Sequence, residues 1–303
     1  MGGPHLLTVL LSGIWATHFL LMNVLNKEIS PFAAGLAVRL GTFLALTCLA
    51  LGTRTFRDLF RINGAGLKLF CVGLLGFLLD ATSFIGFRYS NADTGTVLLK
   101  TDVLMANLIT IIFYKQRFRA RDWFFTAMVI VGVFLVMGVN PYRLGFQPMD
   151  IFFVLSAFFV TLNAFLIKHL QRVKHISNRV IAYYNNLFTL LLFALVTFLA
   201  GQQGDLDKVS GQGRLLLISG AGSLMQTLIY LVYYRCLAFL PVYVVKIVLL
   251  LIPVFAMLFN MASLWRLPDA THIAGSLLVL GSAFGILYAD SSGEAKPEPP
   301  AAG

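Results

Sequence analysis

Five ionisable side chains interrupt stretches of this sequence that are otherwise apolar: Arg39, Asp80, Lys100, Asp102 and Lys246. A charge at the centre of a helix in a bilayer costs about 2.5–3.5 kcal/mol on insertion scales, and such residues face a bundle interior or a wet cavity. The chemistry open to them there is electrostatic. Cations can hold a carboxylate or phosphate, and carboxylates can balance the cations or exchange protons. Lys100 and Asp102 are two apart, so a helix aims them about 200° from each other, which excludes one ion pair on one face. Lys100 then shares a face with Thr96 and Asn107, and Asp102 with Gly95 and Ile109. Arg39 has three expected uses: neutralising Asp80, neutralising Asp102, or clamping a carboxylate. Asp80 lies on a stripe with Gly73, Gly76, Ser83 and Phe87, small residues that let helices approach closely. It is expected to be a hydrogen-bonded packing carboxyl or a proton-coupling one. Lys246 either joins Lys100 on an anion or snorkels to the near end of its run.

Uncharged polar residues fall on helical stripes around these charges. His18 shares a face with Trp15 and Met22, Arg179 with Tyr183 and Asn186, and Gln226 with Tyr230 and Tyr233, while Asn163 stands in a separate run. Such groups can glue helices together. Taken with Trp15 and Phe84 they form an aromatic, amide-rich lining that suits a small polar solute with an apolar part, such as an amino acid. There is no phosphate-binding loop or nucleophile elbow, and the five histidines are scattered. No enzyme activity, cofactor or metal is expected.

The elements that must position these residues follow from composition. Of 303 residues, 58% are hydrophobic and 12% charged, with a mean hydropathy of +0.84. Soluble domains carry about 25% charged residues, so the chain is read as a polytopic helical membrane protein. Ten apolar runs of about 20 residues, the length that spans a bilayer, are marked at 5–25, 31–52, 66–88, 92–114, 122–140, 148–169, 179–200, 214–235, 240–263 and 270–289. The first is too long for a cleavable leader and lacks a basic start, so it is expected to remain as a span. Cys48, Cys71 and Cys236 all lie in apolar runs and read as buried hydrophobes. With the N-terminus inside, inner segments hold fourteen of the 23 Lys and Arg and outer segments six. That asymmetry places both termini in the cytoplasm and explains the net charge of +10 without nucleic acid. The polar, Pro-rich residues 291–303 are expected to form a disordered cytoplasmic tail.

The runs also repeat. At an offset of 149 the fourth and fifth runs align with the ninth and tenth: Arg117-Phe118 with Arg266-Leu267, Gly132 with Gly281, and Val103-Leu104 with Ile252-Pro253. Arg88 and Arg235 close the third and eighth runs 147 apart. Because five is odd, a repeated five-span unit must be inverted, which places a binding site near the midplane between halves. The expected fold is therefore an all-α membrane protein of ten transmembrane helices, arranged as two inverted five-helix repeats (1–140 and 147–290) around a central cavity. Gly281-Ser-Ala-Phe-Gly285 is a GxxxG packing face and a candidate contact for a homodimer, the alternative being a monomer.

Trp15-Ala-Thr-His-Phe19, Ser30-Pro31 and Ala37-Val-Arg39-Leu resemble the opening of the drug/metabolite transporter superfamily in its EamA-like branch. Ile252-Pro253-Val-Phe255-Ala-Met-Leu, with the glycines of the tenth run, resembles that branch's repeat ending. Two features depart from the pattern: Val103-Leu104 stands where a proline is usual, and Lys115-Gln116-Arg117 replaces a Gly-Glu. The resemblance implies a basket of two inverted repeats that moves small polar metabolites by alternating access. Lysines in the fourth and ninth spans are similar to those that hold the anion in plastid phosphate translocators.

The sequence thus leads to a secondary transporter exporting an amino acid or derivative, driven by a proton or a counter-solute. It is expected in a bacterial inner (cell) membrane, with lipid and the solute as partners. Lys100, Arg39, Lys246, Trp15, His18, Asn163, Tyr183, Asn186, Gln226 and Tyr230 would contact solute, and Asp80 and Asp102 would couple it. The rivals are an antiporter of phosphorylated metabolites, a membrane enzyme acting on lipid headgroups, and a non-transporting subunit.

Overall fold

The structure, a computed structural model, describes residues 3–89, 98–115, 120–136, 147–264 and 270–291. Residues 90–97, which open the fourth run, and the expected tail beyond Ser291 lie outside these, as do Thr96, Gly95, Arg117 and Arg266.

Proline and small polar residues set the helix boundaries. α1 runs Gly3–Glu28 and α2 Pro31–Gly52. Pro31 occupies the first turn of α2, where a missing amide costs nothing. α3 spans Gly66–Tyr89, α4 Thr101–Tyr114 and α5 Ala120–Val136. α6 runs Ile151–Arg172 and α7 Asn178–Leu199, capped by Ser177, whose side chain accepts the Val180 amide. A short surface helix, α8 (Gly204–Gly211), leads into α9 (Gly213–Phe239). Leu240 is extended and Pro241 starts α10 (Val242–Val248); after a 3₁₀ turn at Leu249–Leu251 come α11 (Ile252–Leu264) and α12 (Ala270–Ser291).

Among the described residues, seven helical segments are long and apolar enough to cross a membrane: His5–Glu28, Pro31–Gly52, Gly66–Gly86, Pro148–Arg172, Asn178–Leu199, Gly213–Phe239 and Val242–Phe259. Thr101–Phe113, Trp123–Val136 and Ala270–Gly285 are shorter apolar helices. The described residues are all-helical, and the chain is a multi-pass membrane protein.

The packing repeats. α1 lies on α9 as α6 lies on α3; α2 meets α9 as α7 meets α3; α1 meets α11 as α6 meets α4. Three contacts map onto themselves when the first five spans are exchanged for the last: α2 with α7, α4 with α10, and α5 with α12. Lipid tails are as apolar as leucine, so these contacts rest on close fit and hydrogen bonds rather than on the hydrophobic effect. Where α5 crosses α12, a Cβ on Gly275 would sit 2.8 Å from the Gly132 carbonyl oxygen and 2.7 Å from the Val136 nitrogen. The crossing uses Gly132 and Gly275 and one member of the expected GxxxG pair: Gly285 lies against the Phe125 ring of α5, whereas a Cβ on Gly281 meets nothing within 4 Å. α2 approaches α9 through Gly41, and Ser223 donates its hydroxyl to the Val38 carbonyl at 3.0 Å. At the matching crossing, Gly73 and Gly76 make room for Phe188, Asn185 and Thr189 of α7. α10 is buried along its whole length, from Val242 to Val248, so its near-continuous Val and Ile face protein on all sides.

Candidate functional site

The site begins at two breaks. Residues 98–99 are helical, Lys100 is a turn, and α4 restarts at Thr101, with the Val103 amide bonded to the Lys100 carbonyl three residues back at 3.3 Å. In the other half, Pro253 has no amide to bond the Leu249 carbonyl, and the chain tightens into the turn Leu249–Leu251. At the repeat offset of 149, Lys100 corresponds to Leu249, so both helices are interrupted at matching points. Discontinuous helices in transporters free main-chain groups and mark the midplane site.

An ion pair joins these interrupted helices. Lys246 Nζ donates to Asp102 Oδ2 at 3.0 Å, and the two side chains are 1% and 16% exposed. The Thr161 hydroxyl bonds the Asp102 carbonyl at 3.2 Å and fixes that turn against α6. Lys246 therefore does not snorkel. The structure pairs Lys246 with Asp102. Lys100 is half-buried and its ammonium has no hydrogen bond or ion pair among the described residues, although it interacts electrostatically with Asp102 and Lys246. It stands at the break itself, as the residue that opens α4. Tyr233 interacts with the same pair. Its hydroxyl is buried with no hydrogen-bond partner among the described residues, and its ring meets Trp15 edge-on at 5.4 Å.

A second pair lies on α2 and α3. Arg39 Nη2 donates to Asp80 Oδ2 at 2.5 Å, and Nη1 donates to the Tyr230 hydroxyl. Of the three uses open to Arg39, the structure shows neutralisation of Asp80. The Arg39 carbonyl accepts Asn186 Nδ2 at 3.0 Å. Arg39 and Asn186 are each the ninth residue of their helix, so this bond sits where the halves mirror each other. His18 Nδ1 lies 3.3 Å from the Gly222 carbonyl, which requires that nitrogen to carry the proton. Tyrosines connect the two pairs: Tyr230 and Tyr233 pack on Tyr234 at 5.5 and 6.0 Å, and Asn185 donates to the Tyr234 hydroxyl. The result is a buried polar belt holding Arg39, Asp80, Lys246, Asp102 and Lys100, with one net positive charge.

A cavity of about 380 Å³ opens at one end of the bundle, lined by Pro31, Phe32, Phe84, Ile85, Tyr89 and Gln202. Its floor is aromatic. Phe193 is fully buried and surrounded by Phe77, Phe84 and Phe32 at 5.1, 6.1 and 6.4 Å. Phe84 is one turn from Asp80 on α3, but no residue of the belt lines this cavity. Asp80 keeps 22% of its side chain exposed.

Not every expected lining residue reaches the belt. Asn163 donates to the Val72 carbonyl at 2.7 Å and ties α6 to α3. Tyr183 packs on Phe43 at 5.3 Å and, with Arg179, lines a small groove beside Leu46 and Thr53, at the opposite end from the cavity. Gln226 is buried one turn before Tyr230 and has no hydrogen bond among the described residues. Tyr234 and Asn185 belong to the belt and were missed, although the doublets Tyr233-Tyr234 and Asn185-Asn186 in apolar runs are visible signals. Lys168, one of the fourteen cations counted to the inner segments, is buried and donates to the Leu240 carbonyl at 2.5 Å. A cation suits the end of α9 there, where carbonyls lack partners.

Comparison with known proteins agrees with this architecture. The EamA-like transporter family matches residues 3–138 and again 147–288. An uncharacterized transporter from Archaeoglobus fulgidus is 25% identical over 162 residues, covering 54% of this chain and 48% of that protein; the match thus spans about half of the curated relative. A crystal structure that is 15% identical superposes with a TM-score of 0.77 over 97% of each chain, which shows the fold. The chain belongs to the EamA-like transporter family, within the drug/metabolite transporter superfamily, and is an integral multi-pass membrane protein.

Proposed function

We propose that the protein is a secondary transporter of a small polar metabolite, an amino acid or a derivative of one, working by alternating access. In this reading the three shorter apolar helices also cross the membrane. Residues 1–140 and 147–290 then form two inverted five-helix repeats with both termini cytoplasmic, in the cell membrane. The carrying observation is the Lys246–Asp102 ion pair, which joins the halves where both helices break, with Lys100 beside it and unpaired among the described residues. The contact pattern supports the repeat, because it survives exchange of the halves. Lys100, beside the Lys246–Asp102 pair, attracts the solute's carboxylate, Tyr233 and Trp15 receive its apolar part, and Asp102 couples it to a proton or a counter-solute, while Arg39 and Asp80 brace the helices around it. With no nucleotide-binding loop in the sequence, the direction of net flux follows the gradient that drives it.

The test is flux in proteoliposomes loaded with a labelled mixture of amino acids and organic acids. Lys100→Ala is expected to abolish counterflow while purified yield and melting temperature stay near those of the parent. Counterflow at the parental rate would remove Lys100 from the site.

A further inference from the structure

We infer that Asp102 sets the charge class of the solute, selecting species of net charge −1 over dianions and neutral molecules. This rests on the transport reading above and adds a substrate class to it. The charges of the belt sum to one positive. Arg39 and Asp80 cancel at 2.5 Å. Lys246 and Asp102 cancel at 3.0 Å, with the lysine 1% exposed. Lys100 is the remaining cation; it interacts with both members of that second pair and its ammonium has no ion pair or hydrogen bond among the described residues.

An uncompensated cation inside a membrane protein is costly and calls for a counter-charge. One anion satisfies it, and a second negative charge would be buried without a partner. A neutral zwitterion leaves the surplus in place. The favoured solutes are therefore monocarboxylates, N-acylated amino acids and amino acids with two carboxylates. Asp102 is the residue that makes the surplus one rather than two. The hydroxyl of Tyr233, buried without a partner among the described residues and interacting with the same pair, supplies a hydrogen-bond donor without altering the charge.

The test uses the smallest ions that carry the charge difference, acetate and inorganic phosphate at pH 8, at matched ionic strength. Affinities are read from melting of the purified full-length protein in detergent. The parent is expected to be stabilised more by acetate than by phosphate. Asp102→Asn should shift the acetate-to-phosphate affinity ratio toward phosphate by roughly tenfold or more, because a dianion gains twice from each added unit of positive charge. Asp102→Glu should keep the parental order, and Lys100→Gln should remove the response to both ions. Any of three results overturns the inference: phosphate favoured by the parent, the same ratio in the parent and Asp102→Asn, or no response of the parent to either ion. Flux separates this from the transport reading. Charge-dependent binding with no solute movement in proteoliposomes sinks the reading alone. Solute movement with an unchanged anion preference in Asp102→Asn sinks the inference alone.

Discussion

The two buried ion pairs look alike in composition and differ in what surrounds them. Arg39 and Asp80 are joined by Tyr230 and by Asn186 on the arginine's carbonyl, all within continuous helices. Lys246 and Asp102 meet at interrupted helices, beside a third charge and a tyrosine hydroxyl that lacks a partner among the described residues. A saturated pair is a strut, since breaking it strands a buried charge. A pair with a spare cation and a spare donor is a place where something can bind.

Substitutions can break that contrast. The largest effect is expected at the strut. Arg39→Met strands Asp80 and should lower stability by about 3–5 kcal/mol, whereas Arg39→Met with Asp80→Leu should recover most of it. Thermal unfolding in detergent reads both, and a single variant melting with the parent would show that the strut bears nothing. Next come the tyrosines. Tyr230→Phe removes the acceptor of an arginine hydrogen bond and should cost about 1–3 kcal/mol. Tyr233→Phe should cost less than about 0.5 kcal/mol and change solute affinity instead. Equal losses would erase the distinction between the two regions.

A reference outside the membrane sharpens the scale. Asp205 of α8 accepts the Lys208 ammonium at 2.6 Å and the Ser30 amide at 2.8 Å, and these hold its carboxyl down to about 2. The ordinary value is near 3.9, so this contribution is full above about pH 4 and is lost as the pH falls toward about 2. Asp205→Ala should cost about 1 kcal/mol and flatten the acid limb of melting temperature against pH. Smallest of all is Lys100→Gln. With no described partner to lose, stability should move by less than about 0.5 kcal/mol, while flux disappears.

Much of this was legible beforehand, for physical reasons. Apolar runs of bilayer length mark helices because the backbone has no other way to satisfy itself in lipid, and the five charges stood out because each is expensive there. Lys100 and Asp102 form no ion pair with each other, as expected, but Lys100 stands at a break and not on the continuous helix that the 200° spacing assumes. What could not be read was the partner of each charge. Arg39 had two carboxylates open to it, and Lys246 found Asp102, 144 residues away in sequence. Periodicity places a residue on a face but does not say which helix that face meets. Tyr183 shared a stripe with Asn186, and Asn163 stood in a run of its own, with no way to show that either side chain points elsewhere. Lys168 was counted as an orientation signal because a cation at a span end usually is one.

The turn at Leu249–Leu251 carries a mechanical consequence. A 3₁₀ turn advances about 2.0 Å and 120° per residue, against about 1.5 Å and 100° in an α-helix. Rewinding three residues to α geometry would rotate the flanking segments against each other by roughly 60° and draw them together by about 1.5 Å. Lys246 sits three residues before that turn, so such a screw would swing its ammonium off Asp102 while leaving α11 seated.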